Sequence, residues 1–121
     1  MSDILIIDDD PAVATSMQRA LQGLYEVEVV NGAMRAAAQV AEGSRYAVIL
    51  CDLFMPQIDG LQFYDKVLAL DSAQAQRIVF VSGGIYNPDM QARVSGLKNP
   101  LLHKPFTLEK IREVVRIVAA S

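Results

Sequence analysis

The chain has 121 residues, 52% of them hydrophobic and 21% charged, with one cysteine and a net charge of −3. That composition suits one domain over residues 1–121 with a core of its own, and excludes intrinsic disorder, an internal disulfide, a cysteine-built zinc cluster and the basic field that direct nucleic-acid binding wants. With no apolar run near the roughly 20 residues of a membrane span and no signal peptide at Met1-Ser2-Asp3, the expected setting is the cytoplasm.

Ile4-Leu5-Ile6-Ile7 is a short β-branched run that predicts a buried strand. Asp10-Pro11 then supplies a helix cap and a first-turn proline. Val13, Met17, Ala20, Leu21 and Leu24 follow at helical spacing. Tyr25 to Val30 predicts a second strand, broken at Asn31-Gly32. The next helix, Ala33 to about Glu42, has Met34, Ala37, Ala38 and Ala41 as its expected apolar face. Tyr46 to Cys51 is another nearly continuous apolar strand, closed by Asp52. After the turn Met55-Pro56-Gln57-Ile58-Asp59-Gly60, a helix carries Leu61, Tyr64, Val67 and Leu68. Arg77 to Val81 predicts a fourth strand, ending at Ser82-Gly83-Gly84, and Asn87-Pro88 caps a weakly apolar helix to about Ser95. Leu101-Leu102 sits in a brief fifth strand ended by Lys104-Pro105. The last helix starts at Thr107 with Leu108, Ile111, Val115 and Val118 on one face.

Five repeats of strand and helix, with continuous apolar strands, predict an α/β fold: a doubly wound parallel sheet covered on both faces. In such sheets the ligand site lies beyond the carboxyl ends of the strands. Every polar residue of interest falls at such an end. Asp8 and Asp9 follow strand one, Asp52 ends strand three, Ser82 ends strand four and Lys104 ends strand five.

The charge is also uneven. Residues 1–60 hold nine acids and three bases, and residues 61–121 hold five acids and eight bases. Carboxylates gathered on one edge repel one another and call for a counter-charge. A hard divalent cation such as Mg²⁺, which takes oxygen ligands and keeps several waters, answers that need. A carboxylate nucleophile, a cation, a lysine and a hydroxyl make a phosphoryl-transfer site, where Lys104 and Ser82 would each hold a phosphoryl oxygen. Which aspartate receives the group is left open by this chemistry.

Taken in order, Ile4-Leu5-Ile6-Ile7-Asp8-Asp9-Asp10, Asp52-Leu53-Phe54-Met55-Pro56-Gln57-Ile58-Asp59-Gly60, Val79-Phe80-Val81-Ser82-Gly83 and Lys104-Pro105-Phe106 resemble the receiver domain of two-component response regulators. The resemblance covers the whole chain and implies a flavodoxin-like five-stranded sheet of order 2-1-3-4-5. It implies that Asp52 is the phosphoacceptor, that Asp9, Asp52 and the backbone carbonyl of Phe54 ligate Mg²⁺, and that Asp8 acts mostly through water. Ser82 would be the hydroxyl that moves toward the phosphoryl group, and Lys104 the lysine that binds it. The implied donor is a histidine kinase or histidine phosphotransfer protein. An attached output or kinase domain and a phosphorylation-dependent homodimer are the further partners implied, with no membrane and no direct nucleic-acid contact. The turn at Ser82-Gly83-Gly84 and the corner at Lys104-Pro105-Phe106 look most like receivers of hybrid histidine kinases. Such a domain is a self-modifying switch rather than a conventional enzyme, and stands alone or within a longer protein.

One position departs from the family. Three residues before the lysine many receivers carry Tyr or Phe, whereas this chain has Leu101. Signalling is therefore expected through Ser82 and the loop and helix that follow, a weakly apolar element suited to two states. Plainer roles are expected elsewhere: Asp10 and Asp59 as helix caps, Cys51 as a small buried hydrophobe, and His103 as an exposed residue pointing away from Lys104. Phe54 is expected at the mouth of the site, shielding the acyl phosphate from water.

Three other readings compete. A haloacid-dehalogenase-like phosphatase would make Asp8 the nucleophile, with Asp10 completing an Asp-x-Asp, but Glu109 and Glu113 fall on the last helix rather than at a strand end. A docking module that needs no phosphorylation would explain Leu101 alone. A dinucleotide-binding domain lacks its Gly-x-Gly-x-x-Gly.

Overall fold

The computed structural model describes residues 2–84 and 87–121. The elements run β1 (Ile4–Ile7), α1 (Pro11–Leu21), β2 (Val27–Val30), α2 (Ala33–Ala41), β3 (Val48–Asp52) and α3 (Gly60–Leu70). They continue with α4 (Ser72–Ala75), β4 (Ile78–Ser82), α5 (Pro88–Gly96), β5 (Leu101–His103) and α6 (Leu108–Ala119). All strand pairs are parallel, in the order β2-β1-β3-β4-β5.

Because side chains alternate across a strand, each central strand feeds two cores. Leu5, Ile7, Ile49, Cys51, Ile78 and Phe80 face α2 and α3, where Ala36, Val40, Phe63, Tyr64 and Val67 meet them. Ile4, Ile6, Val48, Leu50, Val79 and Val81 face α1 and α6, against Met17, Leu21, Ile111 and Val115. A strand buried on both faces needs no polar residue, so β1, β3 and β4 read as unbroken apolar runs.

Several helix faces differ from the expected ones. On α2 the buried residues are Ala33, Ala36, Ala37 and Val40, while Met34, Ala38 and Ala41 are exposed. Alanine at five positions of nine leaves little apolar contrast to mark the buried face. Leu24 lies past the end of α1, where the chain turns through Gly23 at φ 84°, and is 59% exposed. On α3 Phe63 is buried and Leu68 is exposed, and Leu108 at the first position of α6 is exposed as well. The one-turn helix α4 is an addition to the expected five repeats. Asp71 ends α3 and at once caps α4, accepting from the N–H groups of Ala73 and Gln74.

Strand limits also shift. β2 starts at Val27 and β3 at Val48, while β3 and β4 run on to include Asp52 and Ser82 themselves. The loop expected to move with Ser82 includes residues 85 and 86, which lie outside the described residues. Among the described residues, no helix is long and apolar enough to cross a membrane.

Candidate functional site

Parallel pairing brings the carboxyl ends of β1, β3, β4 and β5 to one edge. Asp8 follows β1 and turns inward, its Oδ1 accepting the N–H of Asp10 at 2.9 Å. Asp10 is used up as the cap of α1, accepting from Ala12 at 3.0 Å. Asp9 between them is exposed. Asp52 closes β3, and its Oδ1 accepts the Phe54 N–H at 3.1 Å. Beyond it the chain turns at Gln57, whose φ is 73°, and Asp59 caps α3 in a reciprocal capping box with Gln62.

Lys104 is set at this edge by its backbone, which prolongs the β4–β5 ladder by donating to the Ser82 carbonyl at 2.8 Å. Its peptide bond to Pro105 is cis. The Lys104 Nζ lies 3.4 Å from Asp8 Oδ2 and 3.3 Å from Asp52 Oδ2, bridging residues 96 and 52 positions away. Gly83 leaves room for that reach, since a Cβ there would stand 3.3 Å from the Lys104 Cδ. Ser82 ends β4 beside the group, with its hydroxyl donating to the Gly84 carbonyl at 3.2 Å.

The side chains of Asp8, Asp52 and Lys104 are 0%, 8% and 21% exposed. Burial pushes the Asp8 carboxyl above its ordinary value; the Asp10 N–H pulls it down, the Asp52 charge pushes it up, and Lys104 pulls it down again. Burial alone would lower Lys104, but the charges and hydrogen bonds of Asp52 and Asp8 outweigh it and hold the ammonium above its usual value. Burial, then the charges of Asp52, Asp8 and Asp59, push the Cys51 thiol well up, leaving it a packed hydrophobe.

Asp8, Asp9 and Asp52 each present a carboxylate oxygen within 4.8 Å of the others. Three hard oxygen donors around one point, one of them open to solvent, suit a divalent cation that retains waters. Phe54 is 42% exposed and, with Asp9, Met55 and Met90, borders a cavity of about 480 Å³ beside the site. His103 is exposed, and Leu101 is half-buried against the core on the α2 and α3 side of the sheet.

Gly60, expected as turn chemistry at the start of α3, also packs against the Asp52 segment. Its N–H donates to the Leu53 carbonyl at 3.0 Å, and a Cβ on it would lie 2.8 Å from the Asp52 carbonyl oxygen. The dipeptide Asp59-Gly60 was the visible signal, but it reads as cap and turn chemistry until the packing is known.

The family model for the response regulator receiver domain matches residues 4–116. The chain belongs to that family. Receiver domains are phosphoacceptor switch domains rather than conventional enzymes, and they bind Mg²⁺ at an acidic site, so the phosphatase and dinucleotide readings fall away. This receiver domain is similar to the response regulator Rre1 of Synechocystis, with 29% identity over 120 residues, 97% of this chain and 51% of Rre1. It is 31% identical over 117 residues to the response regulator MprA of Mycobacterium leprae, covering 93% of this chain and 49% of MprA. The chain thus spans about half the length of these curated relatives. Among solved structures it resembles the receiver domain of the sensor histidine kinase PA1611 from Pseudomonas aeruginosa, with a TM-score of 0.82 and 25% identity over 99% of this chain and 98% of the other. That structure has a magnesium ion coordinated in its active-site cleft. A receiver protein from Sinorhizobium medicae shares the fold at a TM-score of 0.83 and 21% identity, over 98% and 94% of the two chains.

Proposed function

We propose that Asp52 accepts a phosphoryl group from a histidine kinase or histidine phosphotransfer protein, and that this modification switches a partner or attached domain. The observation that carries the proposal is the Lys104 ammonium set between Asp8 and Asp52, with Asp9 alongside. Two facts favour Asp52 over Asp8 as nucleophile. The Asp8 side chain is sealed from solvent and its Oδ1 is held by the Asp10 N–H, whereas Asp52 stands at a strand end with part of its carboxylate open.

In the transfer, a carboxylate oxygen of Asp52 attacks phosphorus as the bond to the donor imidazole breaks, and the imidazole nitrogen leaves with the electron pair. Lys104 stands where it can neutralise one phosphoryl oxygen, and the Ser82 hydroxyl, freed from Gly84, a second. Asp8, Asp9, Asp52 and the Phe54 carbonyl would hold Mg²⁺. When bound, that ion supplies positive charge to a transfer that depends on positioning and neutralisation. The cytoplasm is the proposed setting, in keeping with the free thiol of Cys51. The likeness to the PA1611 receiver supports a place in, or next to, a hybrid histidine kinase. A phosphorylation-dependent homodimer belongs to the same proposal.

Intact mass after incubation with Mg²⁺ and acetyl phosphate tests this reading. Wild type gains one phosphoryl group and Asp52→Asn gains none. Labelling that survives Asp52→Asn and is lost in Asp8→Asn overturns the assignment, and an unlabelled wild type favours the docking module.

Phe54 yields a separate prediction. Its exposed ring at the mouth of the site keeps water from the acyl phosphate, so Phe54→Asn should raise the hydrolysis rate roughly fivefold, a barrier change of about 1 kcal/mol. Decay of the labelled mass after removal of acetyl phosphate measures it; a slower or unchanged variant refutes the shielding role.

A further inference from the structure

Helix α5 is the least embedded of the long helices. Of its nine residues only Val94 is buried, whereas α3 buries Gly60, Leu61, Phe63, Tyr64 and Val67. Met90 and Leu97 add partial cover. What ties α5 laterally is an ion pair. Arg93 Nη1 donates to Asp65 Oδ2 of α3 at 2.8 Å, and Nη2 donates to Asp65 Oδ1, so the guanidinium grips both carboxylate oxygens. Among the described residues, this is the one ion pair α5 makes with another element. Paired geometry of this kind is the strong form of the interaction.

We propose that the Arg93–Asp65 pair is a latch that holds α5 against α3 in the resting arrangement and so sets how readily that helix shifts. The inference rests on Asp52 as phosphoacceptor. Helix α3 is the fixed side: its first residue packs on the backbone of Asp52 and Leu53. Helix α5 is the movable side, joined to Ser82 through a short connection. In this arrangement the Ser82 hydroxyl is engaged with the Gly84 carbonyl, so drawing it toward a phosphoryl group on Asp52 breaks that bond. Exposed ion pairs ordinarily contribute little, and this one is about half exposed on both sides. It matters here because so little apolar burial competes with it. The Asp65 carboxyl is held below its usual range, chiefly by the hydrogen bonds from Arg93, so the pair stays charged at neutral pH.

The test compares wild type, Asp65→Asn, Arg93→Gln and the exchanged pair Asp65→Arg with Arg93→Asp. Labelling by acetyl phosphate with Mg²⁺ and hydrogen exchange of the α5 amides are both read. Each single variant should label about threefold faster, because reactivity scales with the fraction in the competent arrangement. Their α5 amides should exchange faster with thermal midpoints nearly unchanged, and the exchanged pair should return both readings toward wild type. High salt should speed wild type and leave the single variants unaffected. Single variants that label and exchange as wild type does, or more slowly, overturn the latch. If wild type takes no label, the phosphoacceptor reading fails by itself, and α5 exchange decides the latch: faster in the variants supports it, unchanged overturns it.

Discussion

Gly60→Ala is expected to lower the thermal midpoint by about 10 °C, from roughly 2–3 kcal/mol of overpacking at about 3–5 °C per kcal/mol for a chain of this size. The added Cβ would stand 2.8 Å from the Asp52 carbonyl oxygen, 3.0 Å from the Leu53 Cα and 3.3 Å from the Leu53 Cδ2. Two of these three are backbone-fixed atoms that no rotamer change can move aside. Gly60 is also anchored, by its bond to the Leu53 carbonyl and by the capping box at Asp59, so the helix cannot simply back away. The strain falls on the segment that carries Asp52, and labelling should decline with stability. The propensity advantage of alanine applies to helix interiors, and Gly60 is the first residue of α3, so it does not offset the clash. Gly96→Ala is the control: nothing lies within 4 Å of its Cβ position, and it should be neutral or slightly stabilising. Calorimetric melts of the three proteins decide the matter, and a Gly60→Ala midpoint equal to wild type refutes the steric account.

Much of this architecture is legible in the chain because burial on two faces writes itself as unbroken apolar runs such as Ile4-Leu5-Ile6-Ile7. Once those runs are read as parallel strands, their polar ends must gather on one edge. Asp8, Asp52, Ser82 and Lys104 could therefore be grouped without any coordinate. What stayed hidden depends on contrast or on proximity in space. The face of α2 is hard to read because alanine gives no contrast, and the exposed Met34 has the side chain of a core residue. The helix α4 was hidden because Asp71-Ser72 reads as a stop, while in the fold Asp71 serves two helices. Arg93 and Asp65 stand 28 residues apart on helix surfaces, where charge is the rule, so nothing in their own neighbourhoods marks them as a pair. The same holds for Arg77, whose guanidinium reaches the carbonyls of Ala47, Val118 and Ser121 and ties the end of α6 to the start of β3. For Ser82 the position was readable but the direction of its hydroxyl was not.

Lys104→Met should destabilise the protein by about 2–3 kcal/mol in EDTA at neutral pH, and slow labelling roughly 100-fold. Methionine keeps most of the apolar stem but removes the one ammonium between Asp8 and Asp52. Breaking a buried ion pair from one side costs about 3–5 kcal/mol, and the figure here is lower because Lys104 is partly exposed and Asp8 can take a proton. The sign of the pH dependence follows from that proton. Asp8 is already raised above its ordinary value, and loss of the ammonium raises it further. A carboxyl whose folded pKa exceeds its unfolded value favours the folded state at low pH, and that contribution is lost as pH rises through the folded pKa. The deficit of Lys104→Met relative to wild type should therefore be small near the acid end and reach its full size above the raised Asp8 value. Mg²⁺ at a hundredfold over its dissociation constant should return about 2.7 kcal/mol to either protein, since the cation supplies the missing positive charge. Labelling should stay slow even then, because the cation neutralises the carboxylates without replacing the donor that Lys104 would present to a phosphoryl oxygen. Denaturant midpoints in EDTA and in Mg²⁺, taken across pH, separate these effects. A variant as stable as wild type in EDTA at neutral pH would mean that Lys104 is not the counter-charge of the acidic pair.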